Sequence, residues 1–467
     1  MGLVEALRRT VTGHPVIQVW EQDVARQQAL QRQARGQFDT VLSARAGESR
    51  LNSALFGVAQ RAVGGSSGVS FGYTDLSAGA TRQLRNGITV SPVVEISRQG
   101  GVAGGPAVGT ERVGFSVTVP LLRGRGREAT SAEERATAVE AEAAAEQLQY
   151  RLTELLAETA GAYWENVAAA RLLDVYQASE SRGRAYLESV RTLVAADKVP
   201  RVELSQVEAN LAARAAARAG SQQRLAEARG RLAIAQGLSA PGEMPGDAFP
   251  KITMPTAAVD ALIRSSLARR ADLRAIRKLV DAAEIRRRAA VNLAKPGLEL
   301  SAGAGFSSLQ TRSSAFRNGD LSASLSYEFL RGNNLRQGRL DQAAVESRRE
   351  SARVVEAERQ VRVGVTAYWA ALESAAERCG QTLMAVQRFE EALAGEREKY
   401  RLGVGSIVDL LTVEDRLTVA SALAVEAEAN FAAALARLAL VSGSILNGQG
   451  VVTAEPFLGA GYLVSQQ

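Results

Sequence analysis

Strict alternation of apolar and small polar residues marks several segments of the chain as β-strands. The alternating apolar positions are Ile88, Val90, Pro92, Val94 and Ile96, then Val113, Phe115, Val117 and Val119, then Leu298, Leu300, Ala302, Ala304 and Phe306, and finally Leu321, Ala323, Leu325, Tyr327 and Phe329. A period of two residues gives each strand one apolar and one polar face. The pair Asn86-Gly87 before the first run is a hairpin signal.

This alternation is compatible with two kinds of sheet. A soluble sheet turns its apolar face to a protein core, whereas an outer-membrane barrel turns it to lipid and turns its polar face to a water-filled lumen. The runs are about as long as the nine to eleven residues that cross a bilayer at a tilt. Alternation alone leaves both alternatives open.

The remaining sequence has the pattern of very long helices. No proline occurs between Pro120 and Pro200, or between Pro296 and Pro456. The stretch from Ser131 to Val194 predicts one helix of about 64 residues, which is roughly 95 Å long at 1.5 Å rise per residue. No single globular domain needs a helix of that length.

A heptad pattern runs along the last long helix. One set of seam positions is Leu410, Leu417, Ala424, Phe431 and Leu438, and a second set three residues on is Val413, Ala420, Ala427, Ala434 and Val441. Heptads of this kind are typical of coiled coils, and alanine at the seam lets neighbouring helices approach closely. We therefore expect the long helices to pack side by side.

The two halves of the chain align with each other. Val11, Pro15, Ile17, Leu42, Ala46 and Gly47 match Leu267, Ala271, Leu273, Leu298, Ala302 and Gly303 at a constant offset. Further matches join Leu122-Arg123-Gly124 to Leu330-Arg331-Gly332, Ala162-Tyr163-Trp164 to Ala367-Tyr368-Trp369, and Val207-Glu208 with Leu211 to Val413-Glu414 with Leu417. The offset then shortens by about fifty residues, which places an insertion in the first half.

This comparison predicts an internal duplication with one inserted hairpin. The first repeat comprises an entry helix at 1–37, strands with the insertion at 38–122 and a helical hairpin at 123–238, and a linker follows at 239–258. The second repeat comprises an entry helix at 259–293, strands at 294–331 and a helical hairpin at 332–447, and a tail follows at 448–467. We expect four ordinary strands and two from the insertion between Leu51 and Arg112. Because the second repeat lacks it, we expect that hairpin to be peripheral, either extending the sheet or lying on its outer side.

Composition argues against an enzyme. The chain has one cysteine and one histidine, Cys379 and His14, so the usual nucleophile and metal constellations cannot be assembled and no cofactor is expected. Cys379 is expected to pack between helices, and His14 to lie at the surface or cap a helix. The net charge of +6 is carried mainly by arginines scattered among acids, which is typical of solvated helices and gives no nucleic-acid signature.

Targeting and membrane signals are sparse. No run of about 18 apolar residues occurs, so we expect no transmembrane helix, and membrane insertion would require a barrel. The first residues, MGLVEALRRTVTGHP, lack an apolar signal core, which is expected where a secretory signal is absent or has been removed. No cysteine near the start supports a lipid anchor.

Three short segments are the most specific in the chain: Val119-Pro120-Leu121-Leu122-Arg123-Gly124, its counterpart Phe329-Leu330-Arg331-Gly332, and Tyr400-Arg401-Leu402-Gly403 followed by Ile407, Val408, Asp409, Leu410 and Leu411. In these segments the chain resembles the outer-membrane efflux proteins, the TolC-like trimeric channel-tunnels of Gram-negative bacteria. With the duplicated order of helices and strands, the resemblance covers about residues 3 to 447.

The resemblance implies an α+β membrane protein, internally duplicated, in which a transmembrane β-barrel shared by three chains continues into a long periplasmic coiled-coil tunnel. The implied function is the passive exit duct of a tripartite efflux or type I secretion system. Its implied partners are two further copies, a periplasmic adaptor (membrane fusion) protein, an inner-membrane pump and outer-membrane lipid. The alternative is a periplasmic or soluble coiled-coil scaffold, which leaves the alternating strands unexplained. The exported substrate is not readable from the sequence.

Family members close their tunnel at the helix reversals, which here are the tips of the two helical hairpins. The resemblance assigns adaptor contact to Lys198, Val199, Pro200 and Arg201 in the first tip, and to Leu402, Gly403, Val404, Gly405 and Ser406 in the second. The gate candidates are Asp409, Glu203, Tyr400 and Thr412. Asp409 and Tyr400 match gate positions of the family, whereas Gly405 and Thr412 replace an arginine and a second aspartate. In a trimer, Asp409 and Glu203 would supply six carboxylates that favour cations; alternatively, Asp409 only stabilises a helix start.

Overall fold

The computed structural model describes residues 1–54, 68–100, 107–255, 258–311 and 314–445. The predicted C-terminal tail at 448–467 lies outside these described residues. The helices are α1 (Leu3–Gly13), α2 (Pro15–Arg35), α3 (Arg127–Thr130), α4 (Ala132–Ala195), α5 (Arg201–Ala235), α6 (Val259–Arg269), α7 (Ala271–Leu293), α8 (Asn334–Arg401) and α9 (Ile407–Ser442). The strands are β1 (Val41–Ala54), β2 (Gly68–Gln83), β3 (Thr89–Gln99), β4 (Val108–Pro120), β5 (Gly297–Gln310) and β6 (Ala315–Glu328).

Two compact units make up the chain. One comprises Met1–Val24, Ala144–Ala275 and Val354–Gln467, and the other comprises Ala25–Ala143 and Ile276–Arg353. The first unit is helical where it is described, and the second contains the sheet together with helical segments that lead into and out of it.

The core of the helical unit is built around α9. All five positions of the first predicted heptad set, from Leu410 to Leu438, are buried, as are the alanines of the second set. Phe431, Leu435 and Leu438 pack with Val361, Val365, Leu372 and the fully buried Cys379 of α8. The packing role expected for Cys379 is confirmed. His14 accepts a hydrogen bond on Nδ1 from the amide of Val16 (3.2 Å), which caps the start of α2.

By length and composition, α9 is apolar enough to cross a membrane, which differs from the sequence expectation. The expectation rested on an unbroken apolar run, and Glu414, Asp415 and Arg416 interrupt the apolar run within the continuous helix α9. Half of its most apolar window is buried, and its side chains contribute to the hydrophobic clusters of the helical unit. These contacts give α9 the character of a core helix.

The six strands form one antiparallel sheet in the order β1-β2-β3-β4-β5-β6. The expected four ordinary strands and two inserted strands are therefore present. The inserted hairpin consists of β2 and β3 and lies between β1 and β4. Of the two placements expected for it, the hairpin therefore extends the sheet, as internal strands, and does not lie on the outer side. Within the described parts of the chain, strands β1 and β6 each have a single neighbouring strand, and their free edges are 14 residues long.

Glycines with positive φ connect the sheet to the helices. Gly124 (φ 75°) and Gly126 (φ 88°) follow β4, and Gly332 (φ 95°) follows β6. An L side chain is disfavoured at these angles, so glycine lets the chain change direction there. The Asn292 side chain of α7 holds the first crossing by accepting from the Gly124 amide at 2.9 Å.

The turn of the inserted hairpin is anchored at this same crossing. Arg85 donates two hydrogen bonds to Glu134 of α4, at 2.8 and 2.7 Å, and its guanidinium lies over the Phe38 ring. The Gly126 amide donates to the Asn86 carbonyl at 3.0 Å. A Cβ on Gly87 (φ 93°) would lie 2.4 Å from the Gly124 carbonyl oxygen, so only glycine fits this contact.

Candidate functional site

The second helical reversal is closed by backbone hydrogen bonds at the end of α8. The amide of Val404 donates to the Lys399 carbonyl at 3.0 Å, and the amide of Gly403 donates to the Tyr400 carbonyl at 3.1 Å. Gly403 takes φ 77°, the left-handed angle of a glycine-terminated helix. Gly403 and Gly405 thus lie in the short break between the end of α8 and the start of α9.

Ser406 and Asp409 form a reciprocal cap at the start of α9. The Ser406 hydroxyl accepts from the Asp409 amide at 3.1 Å and donates to the Asp409 carboxylate at 2.8 Å. This arrangement satisfies an otherwise unpaired amide of the first turn and places a negative charge at the positive end of the helix dipole. Asp409 therefore has a capping role in the single chain.

The other gate candidates differ in their surroundings. Tyr400 is partly buried, and burial raises the pKa of its phenol, with the Glu203 carboxylate raising it further. Its buried hydroxyl has no hydrogen-bond partner among the described residues. Thr412 instead donates to the Val408 carbonyl of its own helix at 2.7 Å. The structure thus associates Tyr400 with Glu203, and it leaves Thr412 in a purely local contact.

The first helical reversal is a short turn between α4 and α5. The Lys198 amide donates to the Leu193 carbonyl at 3.0 Å, and Asp197 takes the left-handed angle (φ 53°) that glycine takes in the second tip. Pro200 immediately precedes α5 and has extended backbone angles (φ −63°, ψ 145°). Proline is common at the start of a helix because it has no backbone N–H to leave unpaired there.

Apolar side chains are exposed at both reversals. Leu402 and Val404 in the second tip are 62% and 76% exposed, and Val202, just after the first tip, is 62% exposed. Behind them, Leu187, Val190, Val207, Ile407, Leu410 and Leu411 form a buried cluster. Exposed apolar residues on a well-packed support are typical of protein contact surfaces.

A buried carboxylate that the sequence did not single out lies on α9. Glu414 is completely excluded from solvent and contacts three guanidinium groups, those of Arg182, Arg214 (3.8 Å) and Arg397 (3.4 Å). The Tyr186 hydroxyl donates to it at 3.2 Å. We call these five residues together with Asp415 the Glu414 cluster; it joins α4, α5, α8 and α9.

Arg214 is the most buried cation of the Glu414 cluster. It donates to Asp415 at 2.9 Å, to the Ser179 carbonyl at 3.0 Å and to Asn210 at 2.6 Å. Burial raises the pKa of Tyr186 and the Glu414 carboxylate adds to this, whereas Arg397 opposes it. A network of this kind is stable only when every member keeps its partner, because a lone buried charge is costly.

Sequence reasoning missed this cluster because it treated acids as solvated. A usable signal existed: Glu414 lies four residues after Leu410 and three before Leu417, on the apolar face of α9. Its aligned position in the first half, Glu208, is half exposed and contacts only Arg191 at 3.5 Å among the described ion pairs. The two aligned acids therefore have different roles.

Comparison with known proteins identifies the relatives of this arrangement. Residues 262–444 match the model of the outer membrane efflux protein family. Over these residues the match confirms the resemblance inferred from the sequence. No curated protein matches the chain.

Solved structures of outer-membrane channels share the fold. The channel OprN is 18% identical, with 95% of this chain and 90% of that chain covered and a TM-score of 0.69. VceC from Vibrio cholerae is 18% identical over 94% and 96% of the two chains, with a TM-score of 0.68. The open state of MtrE from Neisseria gonorrhoeae is 16% identical over 98% and 90%, with a TM-score of 0.67.

Proposed function

We propose that this chain is an outer membrane efflux protein, as the family match of residues 262–444 supports. Its role would be the passive exit duct of a tripartite efflux or type I secretion system. It would lie in the outer membrane of a Gram-negative bacterium, with its helices in the periplasm. The energy for export would come from an inner-membrane pump coupled through a periplasmic adaptor. The observation that carries the proposal is the six-stranded sheet with one apolar face and two free edges.

Lipid cannot satisfy the free edges of this sheet. Each unpaired backbone group in hydrocarbon costs several kcal/mol, so strands span a bilayer only in a closed barrel. In a homotrimer, β1 of one copy would pair with β6 of the next. Three copies of six strands would then close a barrel of eighteen strands.

The tips are proposed as the adaptor contact and the gate. Lys198 to Arg201 and Leu402 to Ser406 end the helical hairpins and carry the exposed apolar residues described above. Asp409, Glu203, Tyr400 and Thr412 lie just beside these reversals, so neighbouring copies would bring their carboxylates together. Repulsion among them favours opening or cation binding.

Light scattering and bilayer recordings test the duct proposal. Membrane-targeted chain, extracted with detergent, should run as a particle containing three 49.5 kDa chains and should conduct ions after reconstitution. A monodisperse monomer without detergent would support the coiled-coil scaffold instead.

Site-specific photocross-linking tests the tip. A photoreactive residue at Val404 should give an adduct with the adaptor encoded beside a pump in the same genome. The matched control is Val363, a valine of α8 that is also exposed. Equal adducts from both positions, or none from Val404, would place the adaptor contact elsewhere.

A further inference from the structure

A belt of charged side chains crosses the middle of the sheet on its polar face. The belt consists of Arg45 on β1, Asp75 on β2, Glu95 on β3, Arg112 on β4 and Asp320 on β6. The strand registers place all five on the face that also carries the small polar residues, such as Ser116 opposite Gly303 and Ser91. The belt thus extends from one edge strand to the other.

Cross-strand contacts connect the members of the belt. Arg112 is directly opposite Glu95 in the register and lies 3.9 Å from its carboxylate. On its other side Arg112 lies 3.4 Å from Asp320, two strands away. Arg45 lies 4.0 Å from Asp75. The belt therefore carries both signs of charge, with the two acids of the inserted hairpin, Asp75 and Glu95, on neighbouring strands between Arg45 and Arg112.

Glycines make room for two of the acids. Gly47 is directly opposite Asp75, and Gly305 is directly opposite Asp320. A Cβ at either glycine would lie 2.5 or 2.9 Å from the carboxylate oxygen of its partner. The two acids consequently lie flat over the neighbouring strand, and the belt coats the wall of the sheet.

The opposite face has a different charge distribution. Its middle is an apolar band that includes Leu76, Val94, Phe115 and Leu321. Arg82 and Arg317 on this face stand near strand ends, whereas Glu48 lies in the middle of the edge strand β1. In a membrane barrel the apolar band faces lipid and the polar face lines the lumen. Nearer the helices, the polar face carries Glu328, which contacts both Arg123 and Arg336.

We propose that this belt sets the charge preference of the barrel lumen and that the inserted hairpin sets its sign. The inference rests on the proposed trimeric channel. Each chain contributes three acids and two arginines, a net charge of −1, so three chains give −3. Asp75 and Glu95 both come from the inserted hairpin; without them the belt would carry +1 per chain and +3 per trimer. The lumen therefore favours cationic solutes because of the insertion.

Reversal potentials of reconstituted trimers test the belt. The variant Asp75→Asn with Glu95→Gln removes two charges per chain while keeping side-chain volume. Under a KCl gradient near 10 mM, where the Debye length is about 30 Å, the wild type should prefer K⁺ and the variant should shift towards Cl⁻. Once the tip carboxylates of Asp409 and Glu203 are also neutralised, the reversal potential should change sign. Trimer yield should stay the same, because both replacements keep side-chain volume and the Asp75 and Glu95 side chains are 34% and 48% exposed.

The matched control removes two acids from the other face. Glu48 in the middle of β1 and Glu111 on β4 both lie on the apolar face, away from the lumen side, so Glu48→Gln with Glu111→Gln should leave the reversal potential at the wild-type value. Both pairs are also measured in a background of Asp409→Asn with Glu203→Gln, which removes the charge of the tips. The belt proposal would be overturned if the trimers conduct but Asp75→Asn with Glu95→Gln leaves the reversal potential unchanged in both backgrounds. A wild-type chain that forms no conducting trimer would instead overturn the proposed function.

Discussion

The carboxylate of Glu414 and the guanidinium of Arg214 lie 3.8 Å apart on different helices, with 0% and 5% of their side chains exposed. Removing the carboxylate would leave the buried Arg214 guanidinium with one negative partner fewer and would also remove the carboxylate that Arg182 contacts. Breaking a buried pair in this way costs about 3–5 kcal/mol. We therefore expect Glu414→Gln to lower the thermal midpoint of the helical signal strongly, measured by circular dichroism in detergent.

The aligned acid Glu208 is the control for this prediction. It is half exposed in its contact with Arg191, so Glu208→Gln should change stability by about 0.5 kcal/mol or less. Equal effects of the two substitutions would show that burial does not distinguish the two positions.

The tip carboxylates should affect conduction more than folding. In Asp409→Ala with Glu203→Ala, cation selectivity and divalent-cation block in planar bilayers should fall, because two negative charges per chain leave the proposed pore mouth. Trimer assembly should persist, since neither residue belongs to a strand.

Ser406→Ala separates gating from capping. This substitution removes the hydroxyl that the Asp409 amide bonds to and retains the carboxylate, so it should cost about 1 kcal/mol of helix stability and leave selectivity unchanged. Wild-type selectivity in the double alanine variant would mean that the two acids serve only their helices.

The long helix α4 and the existence of strands β3 to β6 could be predicted from the sequence, but the bounds of β2, the early start of β6 at Ala315 and the assembly of the strands could not. Helix α4 begins and ends one residue from its predicted bounds, since an uninterrupted helical pattern without proline leaves few alternatives. The position of the inserted hairpin depends on which strands pair, and alternation carries no such information. Burial of Glu414 likewise depends on arginines contributed by other helices.

Deleting residues 65–105 should give a smaller barrel and not an unfolded chain. Strands β1 and β4 already run antiparallel to each other, so they can pair directly, as β5 and β6 do. Barrel diameter grows roughly linearly with strand number, so four strands per chain should reduce it by about one third. Electron microscopy of detergent-extracted trimers measures this, and an absence of folded trimer would show that the hairpin is indispensable to the wall.

The hairpin turn should tolerate no side chain at Gly87. Gly87→Ala would combine a positive φ with a contact 2.4 Å from the Gly124 carbonyl, at a cost of about 1–3 kcal/mol. The control is Gly72→Ala on the same hairpin, where an added Cβ meets open space. Thermal unfolding should separate the two variants, and equal midpoints would show that the turn is not anchored at the crossing.

An ion pair between α4 and α7 should weaken in acid. The hydrogen bond from Arg286 lowers the pKa of Glu133, although partial burial opposes the shift. A lowered folded pKa stabilises the protein above the unfolded value, near 4.3, and this contribution is lost as pH falls through the folded pKa.

A double-mutant cycle of Arg286→Gln and Glu133→Gln measures this pair. Because Glu133 is about half exposed, solvent screening limits the coupling to roughly 0.5–1 kcal/mol at pH 7. The coupling should disappear once Glu133 is protonated. A coupling that persists at pH 2 would contradict an ionic origin.

The free edges of β1 and β6 also determine how a mutant chain would affect trimers that it forms together with intact chains. In a ring that closes head to tail, every copy supplies one edge to each neighbour, so a single copy with a defective edge leaves the wall open. Co-expression of intact and edge-defective chains in equal amounts would leave only about an eighth of random trimers sealed. An edge mutation should therefore be dominant over the intact chain. The effect of a substitution confined to the polar face should instead scale with the fraction of mutant chains in the trimer.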